Sequence, residues 1–475
     1  MSIPKSLEAA IATTRFGLGA KPGEIQAASG APREWLKSQI GRSGAEQPSG
    51  LPGSADRIAA LLDYQKQIGM LKRAAAPADP SGAAQDSAMS DQQGAKIQEQ
   101  RKQLIAPLEE GVREEIFSRT RLAIATDAAF RERWCLFWAN HFTVSTVKLQ
   151  SAILAGAFER EAIRPNIFGR FEDLLVASST HPGMLVYLDQ ERSAGPGSMA
   201  GMFRHMGLNE NLAREILELH TVGADAGYSQ ADVTEFARAL TGYSIGGPRE
   251  PQEKQGRFLF RPQLHEPGAR TVMGRTYEPG EGQVRAILSD LAANPNTAQH
   301  IARKLAAHFV ADDPPPELVA RLRDAYRHSS GDLSHLAASL IDAPEAWSAE
   351  ARKFKTPYEF VVSGYRAAGA QPNDPAKEVV QPLTFLGQRP FAAPQPNGWS
   401  DLATDWAAPD ALVKRLSWAS RFSAFYVPKD TAPVDAAMAA LGDRLSAAAR
   451  TAIARAETRF EAFSILLMSP EFQRR

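Results

Sequence analysis

The sequence predicts a mainly α-helical fold, a multi-helix body with a small antiparallel β-hairpin or flap inserted, and three observations carry that prediction. Apolar residues recur at helical spacing. Trp134, Phe137, Trp138 and His141 fall at i, i+3, i+4 and i+7, Val284, Ile287, Leu288 and Leu291 do the same, and Ile301, Leu305 and Phe309 continue the pattern. Helix starts are marked, with Ser229 three residues before Asp232 in a capping-box arrangement and Asn296 ahead of the run that begins at Thr297. One stretch, from Tyr243 to about Tyr277, breaks the helical pattern with glycines at 246, 247, 256, 268 and 274 and with alternating Phe258 and Phe260. There Arg257–Arg261 and Arg270–Met273 are expected to pair as a hairpin.

Taken in order, residues 1–73 read as an N-terminal helical segment and 74–100 as a flexible linker. The linker is rich in Ala, Ser, Asp, Gln and Gly and holds too few large apolar residues to offset its ordering entropy. Residues 101–242 form a helical core with a dense polar segment, 243–280 a Gly-rich β-flap, and 281–475 a C-terminal helical region packed on the core. Prolines make the run Arg389–Trp399 an extended loop. They also stop three apolar helix ends, near Pro182, Pro344 and Pro470. These ends are too dissimilar and irregularly spaced for a solenoid.

Composition excludes more than it selects. Fifty-four Lys and Arg balance 54 Asp and Glu over 475 residues, so no global basic field marks a nucleic-acid or membrane-surface binder. The single cysteine, Cys135, rules out a disulfide framework and a cysteine-rich metal site. No apolar run approaches the roughly 18–20 residues of a membrane helix, and no secretory signal is visible. A cytoplasmic location is the expectation. Catalytic motifs are sparse too. Gly242-Tyr-Ser244-Ile-Gly246 matches the serine-hydrolase elbow in letters, but a helix precedes it where that motif needs a strand. There is no His-Glu-x-x-His, no Glu-x-x-His and no phosphate loop.

The polar segment Asn209–His220 is where chemistry is concentrated. On a helix Asn211, Arg214, Glu215 and Glu218 share one face, opposite Leu212, Ile216, Leu217 and Leu219. One reading is a solvated face with the pairs Asn211–Glu215 and Arg214–Glu218. The other turns the face inward, so that both carboxylates, the arginine and His141 enclose a polar cavity with shifted pKa values. His141 itself reads either as a hydrogen-bonded core histidine or as a site residue. His265, on the flap beside Glu266, is placed as a lid residue would be. Arg238 and Asp232 read as surface charges or as partners of the carboxylates. Neutral His141 and His265 with Glu215 would suit a divalent metal such as zinc, iron or manganese.

Several segments together resemble the bacterial family called domain of unknown function 1800. They are Arg15-Phe-Gly-Leu-Gly19, Phe137-Trp-Ala-Asn-His-Phe142, Met184-Leu-Val-Tyr-Leu-Asp189, Asn209–Glu215 running on to Glu218-Leu-His220, Gly227–Val233, Ala237–Gly242, His265-Glu266, Lys355-Thr-Pro357 and Pro396-Asn-Gly-Trp399. The family usually shows Asp where Glu266 stands and Trp where Tyr243 stands, changes that keep the chemical type. The resemblance implies that His141, Asn209, Glu210, Arg214, Glu215, Glu218, Arg238 and His265 belong to one site. It supplies no activity. It implies a frequent genomic neighbour, a sulfatase-like protein exported by the twin-arginine route, and hence a periplasmic or extracellular alternative in which this chain is carried out with that partner. Two functions follow as expectations. One is an acid–base or metal-assisted, hydrolase-like enzyme acting on an envelope or extracellular polymer. The other is a non-catalytic binding or assembly protein working with the exported partner.

Overall fold

Helices form where the apolar spacing places them. In the computed structural model, which describes residues 3–41, 43–74, 87–204, 206–350, 352–428 and 430–475, Ala129–His141 is one helix with Trp134, Phe137, Trp138 and His141 all buried. Gln283–Ala293 and Pro295–Phe309 bury the two other apolar faces. The fold is mainly α, with two small two-stranded antiparallel sheets. Ser229 and Asp232 form the reciprocal capping box. The cap ahead of Thr297 is Asn294 rather than Asn296. Pro295, with its fixed φ and no N–H to satisfy, takes the first helical position, and the Asn294 side chain accepts the Asn296 N–H. Among the described residues no helix is long and apolar enough to cross a membrane.

The region 243–280 is β-structure, but its strands pair differently from the expected hairpin. Phe258–Phe260 (β2) pairs with Tyr243–Ile245 (β1), Tyr243 opposite Phe260. Arg270–Val272 (β3) pairs with Arg275–Tyr277 (β4), Val272 opposite Arg275. The reason is local. Met273 and Gly274 take φ 48° and 78°, the left-handed pair of a two-residue turn whose twist matches the strands it joins. Closing over that turn costs less chain entropy than spanning the proline-containing connection 261–269. Tyr243, Val272 and Tyr277 are buried in the main core, so the flap is anchored there by its first strand and by its second hairpin.

Part of the expected linker 74–100, residues 75–86, lies outside the described residues. From Ser87 onward the same low-complexity stretch is the start of the helix Ser87–Ala125, which packs beside Ser54–Ala74. Its Ala, Gln, Glu, Lys and Arg are good helix formers, and a helix anchored by buried Leu108, Val112 and Ile116 extends outward through them at little cost. The N-terminal segment is no separate body either. Ile11, Ala12, Phe16 and Leu36 are fully buried in the same core as Trp134 and Phe309.

Two large apolar clusters make up most of the interior of the described residues, one around Phe16, Trp134 and Phe309, the other around Phe360, Trp418 and Phe422. Where they meet, charge is buried. Thr356 and Glu359 form a capping box at the head of the helix Pro357–Ala368. The same Glu359 carboxylate accepts from Arg133 and, at 3.1 Å, from Arg475 Nε. Arg133 and Arg475 are 1% and 0% exposed. Burial alone would raise the Glu359 carboxyl, but the two guanidinium groups outweigh it and hold it at about 2. Glu359→Gln leaves two arginines facing a neutral amide without solvent, and is expected to cost about 3–5 kcal/mol. Urea unfolding of the single variant measures this.

Candidate functional site

The structure distributes the eight residues singled out in the sequence over three neighbourhoods. The first is the polar segment. Asn209 serves the backbone, its Nδ2 donating to the carbonyls of Leu188 and Asp189 at 2.9 and 3.1 Å and its Oδ1 accepting the Asn211 N–H. Glu210 accepts from the Thr234 hydroxyl at 2.7 Å, Gln230 at 2.8 Å and Arg214 at 3.3 Å, and these donors hold its carboxyl below the ordinary range. Arg214 also reaches Glu218 at 3.4 Å, the i,i+4 pair of the solvated-face reading. The Asn211–Glu215 pair of that reading is not formed. Glu215 is half-buried, and burial together with the Glu218 charge pushes its carboxyl up to about 7. The chain then widens into a π-helical turn, Ile216–His220, which carries His220 into the core at 2% exposure.

The second neighbourhood holds His141. Its ring lies among Trp138, Phe137 and Phe142. Its Nε2 bonds the His220 carbonyl at 3.1 Å, so it meets the polar segment through that backbone group. His220 and His300 stand 6.0 and 6.3 Å away between ring centroids. Burial, with the Lys304 charge adding to it, lowers all three imidazoles, His220 to about 3 and His300 to about 4.

The third lies on the flap. His265 Nδ1 bonds the Thr241 carbonyl at 2.9 Å under the edge of Phe260. Glu266 clamps a neighbouring loop by accepting the Gly197 N–H at 2.7 Å. Arg238 pairs with Glu235, as Arg270 does at 3.1 Å, rather than with Glu215 or Glu218. Asp232 is occupied by its cap and by the Met273 N–H. Among the described residues no group of three or more His, Cys, Asp or Glu is placed to hold a metal ion. The metal set expected from His141, Glu215 and His265 is therefore not assembled. The two histidines instead spend a ring nitrogen each on backbone carbonyls of different segments.

A different set of residues converges. The Pro-rich loop returns over the end of the helix Ala129–His141 and is locked there. Asn140 Nδ2 donates to the Trp399 carbonyl at 2.9 Å, and its Oδ1 accepts the Trp399 N–H at 2.8 Å. Gly398, at φ 82°, passes so close that a Cβ would lie 2.5 Å from the Asn140 carbonyl oxygen. The lock places Asp401 against the last turn of Pro295–Phe309, where His308 Nδ1 donates to its Oδ1 at 2.8 Å. Lys353, fully buried, donates to the Asp401 carbonyl and to Asp312, and Arg475 donates to the His308 carbonyl at 2.5 Å.

These groups border a cavity of about 100 Å³ that includes Asn140, Thr143, His308, Trp399, Ser400 and Asp401 in its lining. That is room for about three waters or one small polar group. Burial opposes charge on both members of the dyad. It outweighs Asp401 at His308, whose imidazole is lowered, while the Nδ1–H bond from His308 and the charges of Lys353 and Arg475 keep Asp401 well below the carboxylate range. The pair is thus a neutral imidazole held by a carboxylate. His308 Nε2, Trp399 Nε1 and Arg133 Nε, all buried atoms of residues lining this cavity, have no hydrogen-bond partner among the described residues. The carboxylates Glu159 and Glu359 in the same wall are saturated by arginines. The sequence signals were Lys355-Thr-Pro357 and Pro396-Asn-Gly-Trp399. Their neighbours Glu359 and Asp401 carry no motif of their own, and His308 sits at helical spacing beside core residues.

A family model described as "Protein of unknown function (DUF1800)" matches residues 11–474. No curated protein and no solved structure matches the chain.

Three outcomes follow. Gly398→Ala meets the Asn140 carbonyl at an angle that L-residues resist, so it should loosen the 396–401 loop and lower the melting temperature, read by thermal melts and by proteolysis within that loop. His220 titrates near 6.5 unfolded and near 3 folded. The unfolded chain therefore binds the extra proton below about 6.5, and stability falls as the pH drops. Between pH 7 and 5 this one group accounts for about 2 kcal/mol, which a His220→Gln variant should no longer lose in paired denaturation curves. Glu215 runs the opposite way, its carboxyl raised on folding, so it destabilises as pH rises past about 4.5. Glu215→Gln should raise the melting temperature at pH 8, with the gain fading toward pH 4.

Proposed function

We propose that this chain, which belongs to the DUF1800 family, is an acid–base enzyme whose reaction takes place in the cavity at His308 and Asp401. The observation that carries the reading is the dyad itself. A neutral imidazole with Nδ1–H fixed on a carboxylate keeps its other nitrogen as a proton acceptor of fixed orientation, the arrangement general-base catalysis requires. Asp401 sets the tautomer and stabilises the imidazolium once His308 takes a proton. Lys353 is a positioning residue that holds the Asp401 backbone. The indole N–H of Trp399 and the Nε–H of Arg133 are uncommitted donors suited to an oxygen on which negative charge develops.

The reaction class that suits a base, uncommitted donors and room for a few waters is hydrolysis, with water as the nucleophile that His308 deprotonates. If the substrate is an envelope or extracellular polymer, the cavity volume admits only a terminal or pendant group such as an ester, not a strand of the polymer. The non-catalytic reading draws its support from the saturated arginine–carboxylate pairs, which behave as structural groups. The dyad differs from them in holding a neutral imidazole, whose Nε2 can accept a proton where a guanidinium nitrogen can only donate one.

A panel of p-nitrophenyl esters, glycosides, phosphates and sulfates tests the proposal. The wild type should turn over one class. His308→Gln and Asp401→Asn should each lower that rate about 10²- to 10⁴-fold while the fold persists by circular dichroism. Retained turnover in both variants, or none by the wild type on any class, would sink it.

A further inference from the structure

On another side of the second core cluster, the helix Pro409–Tyr426 and the segment Pro375–Phe385 border a groove of about 480 Å³ that shares no lining residue with the His308 cavity. Trp418 and Phe422 line it, stacked with ring centroids 4.7 Å apart. Phe385 and Phe425 line it too, and these two large apolar residues are left 48% and 79% exposed. Aromatic side chains kept in water around a concavity mark a binding surface, and this volume lies in the range that holds one small ligand.

The rim selects a charge. Glu378 is the carboxylate lining the groove, and it is already engaged, accepting the backbone N–H groups of Asn373 at 2.6 Å and Asp374 at 3.3 Å and the Tyr426 hydroxyl. Arg421 makes no ion pair or hydrogen bond among the described residues. Lys377 reaches Asp374 only at 3.9 Å, with its side chain 79% exposed. Two cations with little or no compensation thus stand beside an aromatic trough. We propose that the groove binds a free single-chain amphiphilic carboxylate, its apolar body laid between Phe385 and Phe425 over Trp418 and its head group held by Arg421 and Lys377. An arginine fork takes a carboxylate through two parallel hydrogen bonds, and the exposed rings gain by leaving water. The concave shape suits a single chain in solution rather than a bilayer surface.

Calorimetric titration of the full chain with decanoate, below its micelle concentration, tests this, with decanol, decyltrimethylammonium and anionic phosphatidylglycerol vesicles as comparison arms. The expected result is one saturable decanoate site, with decanol and the cationic amphiphile at least about tenfold weaker. Arg421→Glu and Phe425→Ser change exposed side chains, so both should melt with the wild type and lose decanoate affinity about tenfold or more. If either fails to fold, Lys377→Glu takes its place with the same expectation. Decanol binding as tightly as decanoate, folded variants with unchanged affinity, or binding to vesicles but not to free decanoate would each overturn the proposal.

Discussion

The carboxylate of Glu359 is bonded to Arg133, to Arg475 and to the N-terminus of its own helix, and the geometry around the cavity descends from those bonds. Arg133 carries the attachment onward to the Gly17 carbonyl at 2.8 Å, and Arg475 carries it to the His308 carbonyl. One buried anion therefore ties the N-terminal segment, the Ala129–His141 helix, the dyad helix and the end of the chain. Such a group contributes little net stability relative to a well-packed apolar core, because desolvation consumes most of the Coulomb gain. What it supplies is register. With each guanidinium committed to specific oxygens, the helices cannot slide relative to one another without exposing a bare charge to a medium that cannot solvate it.

The same principle separates the residues that hold the site from those that could act in it. Glu159 is satisfied by Arg119 and Arg164, and Glu132 by Arg164 as well. Arg366 meets both oxygens of Glu24 at 2.8 Å and three further backbone carbonyls near residues 123–126. These charges are compensated inside the protein, which suits them to hold the site rather than to act in it. His308 spends one ring nitrogen and keeps the other, which makes it chemically distinct from the charges packed beside it.

The helices were legible because 3.6-residue periodicity is a local property, and so was the capping box at Ser229. The strand pairing was not. The two-residue turn at Met273-Gly274 carries its information in backbone angles, and no Asn-Gly or Asp-Gly pair announces it. The helical state of the stretch from Ser87 is hidden in its composition, which taken alone lacks a core-facing stripe, whereas the helix it joins is anchored farther along at Leu108–Ile116. For the polar segment, the Arg214–Glu218 pair follows from spacing, while the π-turn that sends His220 inward does not. His308 and Asp401 escaped for a different reason. They stand 93 residues apart and come together through a glycine turn gripped by Asn140, a tertiary relation that no local pattern encodes.

The separations bridged by the buried ion pairs are long, 226 residues from Arg133 to Glu359 and 116 from Glu359 to Arg475. Contacts of that span impose a large loop-closure entropy before they return any energy. Opening either apolar cluster alone would strip Glu359 from Arg133 while one of the two stays buried, so the clusters gain by opening together, as one cooperative unit.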